Sequence, residues 1–182
     1  MDHRPGGPKY YQRRRRVRET TTTGRPNTAG LQPTGRTDVV DVRNLQLLSD
    51  LESCVPVRLN LGAGALVEAG TYSVDIRDLP ETDVLADLEA PLDMLPDSSV
   101  SHINAHHVLE HVSDLDQLLD EMHRVLIAEG TIDIRVPHWA NPLAYSDPTH
   151  VRFFGLYSFC YLAPIELQPL GRKVPTYRVS SL

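Results

Sequence analysis

The chain has 182 residues, 41% hydrophobic and 23% charged, with a formal net charge of −6. That length and composition accommodate one α/β core, and no apolar run approaches the ~20 residues a membrane-spanning helix requires. The Pro-, Gly-, Arg- and Thr-rich beginning has no apolar centre of the signal-peptide kind, and Cys54 and Cys160 alone do not make a disulfide scaffold, so a cytoplasmic protein with reduced thiols is expected.

Charge is distributed unevenly. Residues 1–36 carry nine Arg or Lys against two acidic residues, although the whole chain is acidic. The block Arg13-Arg14-Arg15-Arg16-Val17-Arg18 and the threonines that follow have too few apolar side chains to offset the entropy of ordering, which predicts a disordered basic leader over 1–36. Such a leader is the one segment whose composition suits nucleic acid, since arginines pair with phosphates; no aromatic stacking pattern accompanies them. Residues 37–56 read as a linker or flanking helix, with Val42, Leu45, Leu47 and Leu48 giving a short apolar face.

The domain proper is expected over 57–182. Leu59-Asn60-Leu61-Gly62-Ala63-Gly64-Ala65 runs a buried-strand pattern into two glycines, and Asp75 closes a second apolar segment. Glycine lacks a Cβ, so the backbone can turn sharply and approach a bulky ligand, while a carboxylate at the next strand end can accept hydrogen bonds from two ribose hydroxyls. Val84-Leu85-Ala86-Asp87 is another short run ending in a carboxylate, and residues 100–105 give a fourth strand. A capping-box-like start at Ser113 opens a helix with apolar Leu115, Leu118, Leu119, Met122, Val125 and Leu126, for which Gly130 is the expected stop. Residues 131–136 alternate as a strand closed by Pro137.

This order resembles the class I S-adenosylmethionine-dependent methyltransferases. LNLGAG looks like that family's first glycine motif, Val74-Asp75-Ile76 like its ribose-binding strand end, and Ala86-Asp87-Leu88 like the segment whose carboxylate reaches the adenine amino group. His106-His107-Val108-Leu109-Glu110-His111-Val112, Glu121-Met122-His123-Arg124-Val125-Leu126 and Asp147-Pro148-Thr149-His150-Val151-Arg152-Phe153-Phe154 resemble a branch of small bacterial and phage-type predicted methyltransferases. The resemblance, spanning residues 57–161, implies a Rossmann-like, mostly parallel sheet and S-adenosylmethionine as cofactor. It implies contacts from Asn60, Leu61, Gly62, Ala63, Gly64, Asp75, Ile76, Asp87, Leu88, Ala105 and His106.

The departures are shortened crossovers and an abbreviated C-terminal part. The family's third glycine is replaced by Ala65-Leu66, and only residues 65–70 are left to form a first crossover helix. Between Asp87 and Val100 there is no helical period, only a loop punctuated by Pro91 and Pro96. Residues 165–167 and 174–179 are expected to form an abbreviated closing hairpin of edge pieces.

For methyl transfer the protein has to align donor and acceptor and remove a proton from an oxygen or protonated-nitrogen acceptor. His150 is the candidate base, with Asp147 to orient it or contact substrate and His107 as rival; equally, Asp147-Pro148 starts a turn and His150 packs beside Phe153 and Phe154. Arg152 either clamps an anionic group or neutralises an acidic surface, and Trp139 and Tyr145 either stack on an acceptor or pack. His107-Val108-Leu109-Glu110-His111 matches the H-x-x-E-H signature of a zinc-peptidase group, but that chemistry needs a continuous helix and a further downstream ligand, so no metal is assigned. The sequence does not identify the acceptor: a small metabolite or glycan precursor is expected, and a nucleic acid is also compatible. The alternatives are a non-catalytic nucleoside-binding module and, since both use Gly-x-Gly, an NAD-binding Rossmann oxidoreductase. Nothing in the sequence sets the oligomeric state.

Overall fold

Branched apolar residues with buried alternation lay down six strands, and their order explains where a ligand can bind. A computed structural model describes residues 40–169, 171 and 173–175. The basic leader 1–36 and the far part of the expected hairpin, 176–179, lie outside the described residues.

The strands are β1 (Asp41–Val42), β2 (Val57–Leu61), β3 (Tyr72–Asp75), β4 (Val84–Leu85), β5 (Val100–His106) and β6 (Leu126–Arg135). They pair in the order β1-β4-β3-β2-β5-β6, all parallel except β1, which runs antiparallel to β4 at the edge. The chain winds outward from β2 through β3 and β4, then returns to the other side of β2 for β5. That reversal makes a topological switch point beside the carboxyl ends of β2 and β5. Leu59, Leu61, Val74, Val84, Ile103 and Ala105 form the centre of the sheet and are fully buried or nearly so.

Helix α1 (Leu45–Glu52) begins at Asn44, whose side chain accepts from the Gln46 N–H. The expected flanking helix therefore exists, but residues 41 and 42 pair with Val84 and Leu85 instead of joining it. Helix α2 (Leu115–Val125) presents Leu118, Leu119, Met122 and Val125 to the core. Its N-cap is Asp114, accepting from Gln117 N at 3.0 Å, not Ser113, whose N–H donates to Glu89. Asp116 in the first turn and His123 and Arg124 in the last complement the helix dipole.

Gly130 does not stop α2. The helix ends at Val125 and passes directly into β6, whose residues 127–130 bulge between the Val100–Leu126 and His102–Thr131 pairs. A Cβ on Gly130 would lie 2.8 Å from Leu126 Cδ2 and 2.9 Å from the Ile127 carbonyl, so glycine is needed there for close approach.

No crossover helix forms over 65–70; those residues are turn and coil, tied to the sheet by a hydrogen bond from Asn104 Nδ2 to Glu68. Six residues are too few to nucleate a helix, and Leu66 and Val67 remain exposed. The Pro-punctuated segment 88–99 likewise carries no helix. Its place is kept by buried Leu92 and Leu95 and by Arg124, which donates to the Leu92 and Leu95 carbonyls and pairs with Asp97 and Glu121. Beyond β6 the described residues hold a four-residue helical turn, α3 (Leu143–Ser146), and a 3-10 turn over Ser158–Leu162, but no further strand. Residues 165–167 form a turn rather than the expected strand.

Candidate functional site

Four parallel strands deliver the site. At the end of β2, Gly62 takes φ 60° and Gly64 φ 59°, a backbone region costly for residues with a Cβ. A Cβ on Gly62 would run into Val108 Cγ2, so the glycine is required by its own neighbour as well as by any ligand. Asp75, 5% exposed at the end of β3, accepts from Gly64 N at 2.7 Å through Oδ2 and from Arg77 N at 2.8 Å through Oδ1. The carboxylate thereby sets the glycine turn and keeps acceptor capacity for a diol. After β4, Asp87 accepts from Glu89 N at 3.0 Å. After β5, His107 takes φ 57° and donates its backbone N–H to the Arg135 carbonyl at 2.7 Å, extending the β5–β6 ladder by one bond.

These ends enclose a cleft of about 740 Å³ that brings together the expected Gly62, Asp75, Ile76, Asp87, Leu88 and His107. Arg77, Glu89, Val108, His111, Val112 and Thr149 complete it. The other expected contacts lie behind its wall. Leu61, Ala63 and Ala105 are buried, Gly64 is covered by the Arg77 guanidinium (2.6 Å from where its Cβ would be), and Asn60 pairs in register with Ser73 and Asn104. His106 turns toward β6, its Nε2 3.0 Å from Asp133, whose carboxyl is held below the usual range by His106 and Arg135.

A second cavity of about 490 Å³ adjoins the cleft, lined in part by Asn141, Leu143, Asp147 and His150, and it shares His107 and His111 with the cleft. Its wall is the segment after β6, folded over residues 107–113. Val151 N donates to the Glu110 carbonyl at 2.8 Å, and Arg152 donates to the Val112 and Ser113 carbonyls at 3.1 and 2.7 Å. Arg152 is thus a strap between backbone segments. Trp139 and Tyr145 are half-exposed, and the ring nearest Tyr145 is Phe153 at 4.6 Å.

Asp147 does not orient His150. Its Oδ1 accepts from the Thr149 hydroxyl at 2.6 Å and the Thr149 N–H at 2.8 Å, and these bonds, with smaller help from His150 and His111, hold its carboxyl below the usual range. His150 Nδ1 instead meets the Ala144 carbonyl at 2.8 Å, and its aromatic neighbour is His111, ring centroids 4.7 Å apart, rather than Phe153 or Phe154. Glu110 and His111 occupy a turn, not a helix, with His111 N bonded to the Val108 carbonyl. The peptidase arrangement is therefore not built here. In the sequence, Glu110 and His111 are signalled by their H-x-x-E-H spacing and, like Thr149, by lying in segments that resemble the methyltransferase branch; Arg77 carries no signal.

An open, mostly parallel α/β sheet with a glycine turn, an acidic second-strand end and a cleft at the switch point defines a protein built to hold a nucleoside-bearing cofactor. Residues 65–134 match the family model described as a methyltransferase domain. With that topology, the fold is Rossmann-like, as in the class I S-adenosylmethionine-dependent methyltransferases, and the matched stretch indicates S-adenosylmethionine as cofactor. Among solved structures, the chain is similar to a SAM-dependent methyltransferase from Archaeoglobus fulgidus, at 20% identity over 63% of this chain and 61% of that one, with a TM-score of 0.49. It is also similar to a SAM-dependent methyltransferase from Aquifex aeolicus, at 22% identity over 40% of this chain and 51% of that one, with a TM-score of 0.32. The chain thus spans between half and two thirds of the length of these proteins. No curated protein matches it.

Proposed function

We propose that this domain transfers the methyl group of S-adenosylmethionine to a hydroxyl or amine of a small acceptor, a metabolite or glycan precursor, held in the cavity beside the cofactor cleft. The observation that carries this reading is the shared wall: His107 and His111 line both cavities, so donor and acceptor meet there. In-line substitution at the methyl carbon needs little from the protein beyond alignment and removal of the acceptor's proton. His107 is the group for that proton. It follows β5 directly, is held in a left-handed conformation, and keeps Nδ1 3.3 Å from Glu110, which leaves Nε2 to face acceptor and donor. His150, the other candidate base, lines only the second cavity.

Gly62, Asp75, Asp87 and Leu88 form the cofactor's share of the cleft in this reading, with Asp75 on the ribose and Asp87 toward the adenine. Cys54 and Cys160 are free, in keeping with a cytoplasmic location, and no helix among the described residues is long and apolar enough to cross a membrane. Any nucleic-acid contact is assigned to the basic leader. Release of S-adenosylhomocysteine across a panel of hydroxylated metabolites, sugar nucleotides and amines tests the reading. His107→Ala should cut turnover by about 10²- to 10⁴-fold and leave cofactor affinity nearly intact. A chain that binds S-adenosylmethionine but turns over none of the panel is a binding module, a reading favoured by the absence of any strand after β6 among the described residues.

A further inference from the structure

Glu110 is the least exposed polar side chain among the described residues, at 1%, yet its carboxylate is only half accounted for. Oε1 lies 3.3 Å from His107 Nδ1, while Oε2 is buried with no hydrogen-bond partner among the described residues. An ionised carboxylate in that position needs a proton or a cation beside it.

Two imidazoles face it, and their tautomers follow from their partners. The Ala144 carbonyl can only accept, so His150 Nδ1 carries the proton and Nε2 the lone pair. The Thr149 hydroxyl has one proton, and it goes to the Asp147 carboxylate at 2.6 Å. Its oxygen therefore accepts from His111 Nδ1 at 2.9 Å, and His111 too presents Nε2 as a lone pair. Ring N–H groups anchored on a carbonyl and on a hydroxyl–carboxylate relay are what orient histidines that bind metals through the other nitrogen. One ligand atom from each of Glu110, His111 and His150 lies within 4.8 Å of the others. Around a zinc ion, ligands at about 2 Å sit roughly 3.4 Å apart, so a modest closure of three side chains completes the set.

We propose that Glu110, His111 and His150 bind a divalent transition-metal ion of the zinc class, with an open coordination position toward the acceptor cavity. Two imidazoles and one carboxylate leave that position free for a substrate oxygen. Resting on the methyltransferase reading, the acceptor is then a hydroxyl compound bound through its oxygen. The ion lowers the hydroxyl pKa and its proton passes to His107. The alkoxide or phenolate oxygen forms a bond to the methyl carbon as the carbon–sulfur bond breaks with its electron pair on sulfur, giving the methyl ether and S-adenosylhomocysteine. His150 thus serves the reaction as a ligand and His107 as the base.

The test uses the full-length chain, stripped with a chelator and titrated with Zn²⁺ against a chromophoric competitor, with Co²⁺ absorption as a second readout. One equivalent should bind, and His111→Ala and His150→Ala should each weaken it at least a hundred-fold. Thr149→Val, which removes only the relay, should weaken it about 10- to 100-fold. His102→Ala, outside the cluster, should change nothing. Circular dichroism of each variant reports folding, and because His111 is exposed, its variant remains informative if changes at Glu110 do not fold. Substoichiometric binding, or binding unaltered in His111→Ala and His150→Ala, overturns the metal site. S-adenosylhomocysteine affinity is measured separately. Its retention without Zn²⁺ binding refutes the metal alone, and Zn²⁺ binding without it refutes the methyltransferase reading alone.

Discussion

Asp75→Ala probes both the turn and the cofactor. Asp75 takes hydrogen bonds from Gly64 N at 2.7 Å, from Arg77 N at 2.8 Å and, at 3.5 Å, from Arg77 Nε. Hydrogen bonds to a charged acceptor are worth about 1.5–3 kcal/mol each, and an orphaned buried donor carries its own penalty. Removing the carboxylate, which leaves the buried Gly64 N–H unpaired, should destabilise the domain by about 2–4 kcal/mol; at roughly 2–4 °C per kcal/mol for a chain this size, the fall in Tm is measurable by calorimetry. If the same carboxylate also receives the ribose hydroxyls, Asp75→Ala should weaken S-adenosylmethionine about ten- to a hundred-fold when titrated calorimetrically below its new melting point. Asp75→Asn keeps one acceptor oxygen and should fall between the two in both measurements. A variant that loses stability but binds the cofactor as tightly as before would refute the ribose assignment and leave Asp75 as the fastener of the glycine turn alone.

Two further outcomes follow from the geometry. Gly62→Ala, at φ 60° and against Val108, should cost about 1–3 kcal/mol in urea unfolding, part of it recovered when Val108→Ala is added, because the clash is with that side chain. The Glu121 carboxyl is held below its usual pKa, first by Arg124 and further by the Leu92 N–H, so its stabilising effect is fully present above the unfolded-state value of about 4.3 and is lost as pH falls through the lower folded value. Wild type should therefore lose more stability than Glu121→Gln between pH 6 and pH 3 by urea unfolding, and equal losses would refute this.

What was legible in the sequence is what local pattern controls. The run Leu59 to Gly64, the acid at Asp75, the apolar run into Asp87 and the 3.6-residue spacing from Leu115 to Val125 each reflect burial within one element, and each appears where expected. Errors cluster where another element decides. Gly130 has the look of a helix stop, but the pairing of Leu126 with Val100 draws the chain into β6 first. Asp114 displaced Ser113 as cap because Glu89, from a distant loop, claimed the Ser113 and Asp114 N–H groups. The trio of Glu110, His111 and His150 is separated by almost forty residues and depends on the fold-over of the chain after β6, which no periodicity encodes.

That fold-over also builds the wall of the second cavity. Among the described residues no strand follows β6, and the wall is held to the turn after β5 by three backbone carbonyls, those of Glu110, Val112 and Ser113. The turn that receives these bonds also carries His107, Val108 and His111, which line the cofactor cleft. Val108 in turn presses on Gly62. Displacement of the wall therefore reaches the glycine turn through contiguous contacts, the physical route by which the proposed acceptor and cofactor sites would be linked. Arg152 is the member of this chain of contacts whose removal breaks it without altering the lining of either cavity, since its guanidinium meets backbone carbonyls of the turn among the described residues.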